Sequence, residues 1–254
     1  MSVLFHVPHA STVIPDDVRA GILVDDDVLV RELLEATDHH TDGIVGGLDN
    51  GMTVRSYVNP YSRLVVDPER FLDVEKEITE AVGRGVVATR TVNGERFRDD
   101  TSPGFSVLRQ DLIERFFLPY HHGMDRLVDG MLGAYGTVTI LDVHSFPEHA
   151  QPYELDGQAD RPPLCVGTDS LHTSDALKQV VTDAAERHGF AYAFDRPFAG
   201  TFVPLAHYGD QRVQSLMFEF RRDIFTDELT ATPHAGIARC RAFVQDVVTQ
   251  LLDA

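Results

Sequence analysis

The sequence predicts an α/β domain built on a mostly parallel sheet with helices on both faces. Three observations lead there. Short β-branched and apolar runs alternate along the chain with stretches of helical periodicity, the pattern of a parallel sheet joined by crossover helices. Two of those runs, Thr137–Leu141 and Leu216–Phe220, have the composition of strands buried on both faces. Ionisable residues stand at or near their ends: Asp142-Val143-His144-Ser145 closes the first, and Glu219 interrupts the second. Open α/β sheets bind ligands at the carboxyl ends of their strands.

Taken in order, Val3–Val7 is the first strand, stopped by Pro8, with His9 to Thr12 in the turn beyond. Asp25–Ala36 is an amphipathic helix with Val28, Leu29, Leu33 and Leu34 at helical spacing. It runs into Thr37-Asp38-His39-His40-Thr41-Asp42, six polar residues of which four are of ligand type. Ile44–Asn50 continues as helix and turns at Asn50-Gly51. Met52–Val58 and Leu64–Asp67 are strand-like, separated by a loop. Residues 73–105 form a long, lid-like excursion, rich in glycine and charge, whose one strand candidate is Val87–Val92. Val107–Gly133 is the clearest helix, open to a kink at Pro119. After the central strand comes a Pro-rich loop from Phe146 to Pro163, then the buried strand Leu164–Gly167 and a helix Ser174–His188 with its serine cap. Phe190–Phe194 and Ser215–Phe220 are strands, and His234–Leu252 is the closing helix. No internal repeat or linker divides residues 1–254, so a single domain is expected.

The composition is that of an ordinary globular protein, 43% hydrophobic and 24% charged over 254 residues. No apolar run approaches the ~20 residues that span a bilayer. The amino terminus lacks the basic, then apolar, order of a signal peptide, so a cytoplasmic location is expected. Cys165 and Cys240 cannot build a disulfide framework or a thiolate zinc site. With 40 acidic against 22 basic residues and a net charge of −18, a nucleic-acid partner is excluded as an expectation. An anionic small molecule would need a local cluster of arginines.

Residues two apart on a strand point the same way, so Asp142 and His144 address one place. A histidine there is either a local hydrogen-bonding cap or a metal ligand or base. Glu219, inside an apolar strand, must be paired with Arg221 or Arg222, bound to a metal, or functional. His9 and His144 with Asp38 or Asp42 form a thiolate-free set of the two-histidine, one-carboxylate type used by catalytic zinc. His39, His40, His121 and His122 are weaker candidates. Arg63, Arg70, Arg221 and Arg222 are anion binders or surface ion-pair partners.

These motifs, in this order over most of the chain, resemble the N-formylglutamate amidohydrolase (deformylase) family. Val7-Pro8-His9-Ala10-Ser11 is similar to that family's V-P-H-S-G, Asp38 to Asp42 to its D-x-x-x-D, and Ser62-Arg63-Leu64-Val65-Val66-Asp67-Pro68-Glu69-Arg70 to its S-R-x-V-V-D-x-N-R. Gly85 to Thr91, Pro119-Tyr120-His121, Asp142-Val143-His144-Ser145, Gly200-Thr201, His207-Tyr208-Gly209 and Glu219-Phe220-Arg221-Arg222 complete the set. The resemblance implies a three-layer α/β/α fold with a mixed, mostly parallel sheet, like that of the zinc carboxypeptidases. It implies one Zn²⁺ ion on His9, Asp38 and His144, with Asp42 or Glu219 as alternatives to Asp38. Asp142 would orient a ligand from behind. Glu219 and Arg63 become the catalytic pair, and Arg63, Arg70, Arg222, Ser145 and His207 surround a small anionic N-acyl amino acid. Three departures, Ala10-Ser11 for Ser-Gly, Pro68-Glu69 before Arg70, and Arg221 where Asn is expected, fall around the substrate and leave its identity open.

Overall fold

The structure, a computed structural model, describes residues 1–154 and 161–253. Its centre is a six-stranded sheet of β1 (Ser2–Val7), β2 (Val54–Val58), β3 (Val138–Phe146), β4 (Leu164–Gly167), β5 (Tyr192–Phe194) and β6 (Val213–Arg221). The spatial order is β2-β1-β3-β6-β4-β5. The first four strands are mutually parallel, β4 runs antiparallel to β6, and β5 is parallel to β4. The expected mixed, mostly parallel α/β sheet is what forms. β1 and β3 are buried at every position, which explains why neither shows the alternation of a half-exposed strand.

The helices are α1 (Asp16–Arg19), α2 (Asp26–Ala36), α3 (Thr41–Val45), α4 (Phe105–Leu112), α5 (Leu118–Tyr135), α6 (Asp175–Arg187) and α7 (Gly236–Asp253). Asp25 caps α2 by accepting from Val28 N, and Ser174 caps α6 by accepting from Leu177 N. One face of the sheet presents Val3, Phe5, Val7, Leu141, Val143, Leu216, Phe218 and Phe220 to α3, α6 and α7. The other presents Leu4, Val138, Ile140 and Val213 to Met124, Val128, Met131 and Leu132 of α5. Two layers of helix thus enclose one layer of sheet. Among the described residues no helix is long and apolar enough to cross a membrane.

Five expectations are corrected. Leu64–Asp67 and Val87–Val92 are not strands. Both are buried coil whose backbone is satisfied by turns and by each other, as where Asp67 N donates to Val86 O. A four-residue apolar run has the same composition in either state. The helix of Ile44–Asn50 is shorter and lies earlier, in α3. The long helix is divided: between α4 and α5 lies one widened π-helical turn, Ile113–Phe117, containing the Arg115 carbonyl that the ring of Pro119 would otherwise meet. Within 73–105, Val86, Val87, Ala88, Val92 and Phe97 are buried, and Arg98 donates to the carbonyls of Ala88 and Leu64. That segment is packed into the body rather than laid over it. Residues 155–160 of the Pro-rich loop lie outside the described residues.

Candidate metal centre

Register brings ionisable side chains from three strands together. On β1, β3 and β6 the face toward α5 carries Leu4, Val138, Ile140 and Val213 in the amino halves and changes character toward the carboxyl ends. There His6 pairs across the ladder with Asp142, and His144 pairs with Glu219. All four are on one face because side chains alternate with period two. Two loops add to them. His9 follows β1, where Asn59 Nδ2 donates to Pro8 O and Asp38 N donates to His9 O, each at 3.0 Å. Asp38 follows α2, with its carbonyl taking a hydrogen bond from the Thr41 hydroxyl.

The result is a tight triangle. His9 Nδ1 and His144 Nδ1 lie 3.2 Å apart, and Asp38 Oδ2 is 3.1 Å from the His144 atom and 3.5 Å from the His9 atom. A tetrahedral zinc ion with bonds of ~2.0–2.1 Å has edges of about 3.3–3.4 Å, the same spacing. The far ring nitrogens are committed to carboxylates. His9 Nε2 is 2.8 Å from Asp67 Oδ1, and His144 Nε2 is 2.9 Å from Asp142 Oδ1. A carboxylate only accepts, so each Nε2 donates a proton to its carboxylate. The two Nδ1 atoms face each other and Asp38 Oδ2, so a cation belongs among them: a proton, which burial opposes on His144 but Asp142, Glu69 and Asp38 favour there, or a metal ion that takes both lone pairs. The residues therefore fit a divalent metal ion, with the histidine–carboxylate backing usual for such ligands.

The charges agree. Four carboxylates, of Asp38, Asp67, Glu69 and Asp142, surround the two rings against the guanidinium groups of Arg63, Arg70 and Arg222, and the Glu219 carboxyl lies beside them. The excess of acidic groups favours a cation. Burial opposes ionisation of the Asp67 carboxyl, but Arg63, His9 and Arg70 outweigh it and hold the group well below its ordinary range. Glu219 shows the opposite balance. Burial, with the neighbouring Asp38, Glu69 and Asp142, pushes its carboxyl up to about 8 despite His144, and its Oε2 has no hydrogen-bond partner.

The arginines are partly spoken for. Arg222 donates to Asp38 Oδ1 at 3.1 Å, to Ser145 Oγ at 3.2 Å and to Glu35 O, and it also lines a cavity of about 210 Å³ with Glu35, Asn93 and Gln151. Arg63 binds Asp67 through Nε and a terminal nitrogen, with Arg70 Nε 3.4 Å from the same oxygen. Arg63, Arg70 and Arg84 wall a second, smaller recess.

Of the residues singled out in the sequence, His9, Asp38, Asp142, His144, Ser145, Glu219, Arg63, Arg70 and Arg222 are thus gathered in one place. His207 is not. It lies before the amino end of β6, where its Nε2 is 3.5 Å from Asp129 of α5, so its placement around the substrate is corrected. Asp42 is also elsewhere, accepting from Gly43 N at the start of α3. Arg221 turns away to Asp223. Beyond the ligands, Asp67, Glu69, His6 and Tyr120 join the cluster. A histidine inside an apolar strand is the signal that finds His6, just as an acid in an apolar strand finds Glu219.

Comparison with known proteins finds relatives of this chain in fold and in sequence. A solved N-formylglutamate amidohydrolase from Ralstonia eutropha JMP134 has the same fold, with a TM-score of 0.81 and 23% identity over 99% of this chain and 93% of that one. A gene product of Agrobacterium tumefaciens is similar in fold at a TM-score of 0.70 and 16% identity, covering 99% of this chain and 90% of the other. In sequence, an N-formylglutamate deformylase of Pseudomonas putida is 25% identical over 234 residues, which is 90% of this chain and 83% of that protein. The family model described as N-formylglutamate amidohydrolase matches residues 1–226, and the chain belongs to that amidohydrolase family.

Proposed function

We propose that the protein is a metal-dependent hydrolase of the amide bond of an N-acyl amino acid, with N-formyl-L-glutamate as its first substrate. The observation that carries this reading is the triangle of His9 Nδ1, Asp38 Oδ2 and His144 Nδ1, with the unpartnered Glu219 carboxyl on the neighbouring strand. His9, Asp38 and His144 would hold one zinc ion, which when bound supplies Lewis-acid activation of a water and of the amide carbonyl.

The chain's own groups do the rest. Glu219 takes the proton of the attacking water on its free Oε2 and returns it to the departing nitrogen as the C–N bond breaks. Formate and the free amino acid leave. With an ion held by His9, Asp38 and His144, the Glu219 carboxyl would ionise despite its burial. Arg63 and Arg222 supply positive charge where the carbonyl oxygen becomes an oxyanion. Arg70 and Arg222, with Ser145, receive the substrate's carboxylates, Arg222 from the wall of the cavity of about 210 Å³. Asp67 and Asp142 keep the two imidazoles turned toward the ion. The location is cytoplasmic.

Another acyl group or acidic amino acid is the nearest alternative, and a carboxylate-binding protein without turnover is the more distant one. A hydrolysis assay of zinc-replete protein on formyl, acetyl and succinyl derivatives of glutamate and aspartate separates them. N-formyl-L-glutamate should give the highest kcat/KM. Protein that retains no metal and gains no activity with zinc is a binder, and the proposal fails.

A further inference from the structure

Behind His144 runs a buried chain of hydrogen bonds that the reaction described above does not use. Asp142 Oδ1 accepts from His144 Nε2 at 2.9 Å and from His6 Nδ1 at 2.8 Å, while its Oδ2 accepts from Phe202 N at 3.1 Å. His6 Nε2 is in turn 2.6 Å from the Tyr120 hydroxyl. His6 is fully buried, and the Phe202 ring stacks on it with centroids 4.1 Å apart. Tyr120 lies in the first turn of α5, where its carbonyl accepts from the Tyr57 hydroxyl at 2.7 Å. Tyr57 can lie there because position 123 is glycine: a Cβ would come within 2.2 Å of the Tyr57 oxygen.

The direction of every proton in this chain is fixed. Asp142 is acceptor-only, so both histidines must turn a protonated nitrogen to it. His6 is then protonated on Nδ1, its Nε2 is an acceptor, and Tyr120 donates. His144 donates from Nε2 to Asp142, which turns its Nδ1 toward His9 and Asp38. We propose that Tyr120 and His6 are positioning residues: they lock Asp142 in place and so hold His144 in the orientation in which it can bind a metal ion. Three donors hold the two oxygens of Asp142, and removing the one from His6 frees the carboxylate to rotate away from His144. The inference rests on the metal reading of the His9, Asp38 and His144 set.

Zinc affinity in wild-type protein and three variants tests it, read by competition with a chromophoric chelator, with thermal unfolding of the metal-free proteins as the control for packing. Tyr120→Phe keeps the ring and removes the donor. His6→Leu removes the link to Asp142. His6→Asn keeps a donor near the Nδ1 position. Tyr120→Phe and His6→Leu should weaken zinc binding by roughly 10-fold, within the range usual for the groups behind metal ligands, while the metal-free Tm of Tyr120→Phe stays close to that of wild type. His6→Asn should restore most of the affinity. Unchanged affinity in Tyr120→Phe overturns the proposal, as does equal loss of affinity in His6→Leu and His6→Asn. If wild-type protein binds no zinc, the metal reading fails and this inference with it; zinc bound alike by all four proteins overturns this inference alone.

Discussion

The two faces of the central sheet use the same strands to opposite ends. Toward α6 and α7, β1, β3 and β6 show Phe5, Val143, Phe218 and Phe220, all fully buried, and the Phe218 ring lies edge-on to Phe243 of α7. One residue along in each strand, the face toward α5 shows His6, Asp142, His144 and Glu219. The aromatic face lowers the free energy of folding by burying apolar surface. The ionisable face raises it, because buried charges are favourable only once paired. The rigid packing of one face holds the groups on the other at metal-binding distances.

The largest effect that probes this division is on turnover. Glu219→Gln should lower kcat by about 10²–10⁴-fold, the usual range for a general acid–base group, with zinc content unchanged by metal analysis. Its neighbour Phe218→Ala should instead cost about 3–5 kcal/mol of stability in denaturant unfolding, with turnover per folded molecule nearly intact. If each variant produced the other's phenotype, the division of labour between the faces would be abandoned.

A smaller effect is the coupling of metal to stability. Stripping zinc with a chelator should lower Tm, and restoring it at a hundredfold excess over Kd should return about 2.7 kcal/mol. Phe218→Ala should keep that increment, whereas His144→Ala should lose it. The proton tells the same story in metal-free protein. The Glu219 carboxyl sits at about 8 when folded against an ordinary 4.5, so between those values the folded chain holds a proton that the unfolded chain has lost. Stability contributed by this group therefore falls as pH rises from about 4.5 to 8, the reverse of an ion-paired acid. Glu219→Gln should flatten that slope in parallel denaturation curves, and an unchanged slope would reassign it to other groups. The smallest effect is remote from the site. Ser174→Ala should cost about 1 kcal/mol through the lost cap of α6, leaving zinc affinity as it was.

Much of this was legible in the chain itself, for physical reasons. β1, β3 and β6 announce themselves because burial on both faces demands a mostly apolar composition, α2 through its periodic stripe and α6 through its serine cap. Asp142, His144 and Glu219 stand out because nothing in packing calls for them there. Leu64–Asp67 and Val87–Val92 mislead because buried coil and buried strand draw on the same residues. Arg63 and Arg222 are visible as cations, but their partners, Asp67 and Asp38, are fixed only by tertiary contacts. His207 shares the polar, glycine-flanked look of a site loop, yet the fold carries it before the amino end of β6. The π-helical turn before Pro119 has no counterpart in hydropathy at all.

The in-register ladder joining β1, β3 and β6 bears on when the protein can begin to work. Its pairs bring together residues 6 and 142, then 144 and 219, and the ligand loops lie more than 100 residues from His144. Such contacts form only after long loops have closed, which makes them late in folding. A chain emerging from the ribosome presents His9 and Asp38 early, His144 past its midpoint, and β6, with Glu219, near the end. Until β6 docks, β3 has an open edge and His144 lacks its cross-strand neighbour. Metal capture and hydrolytic competence should therefore arrive with the completed sheet, which keeps unfinished chains from acting as either enzyme or zinc scavenger.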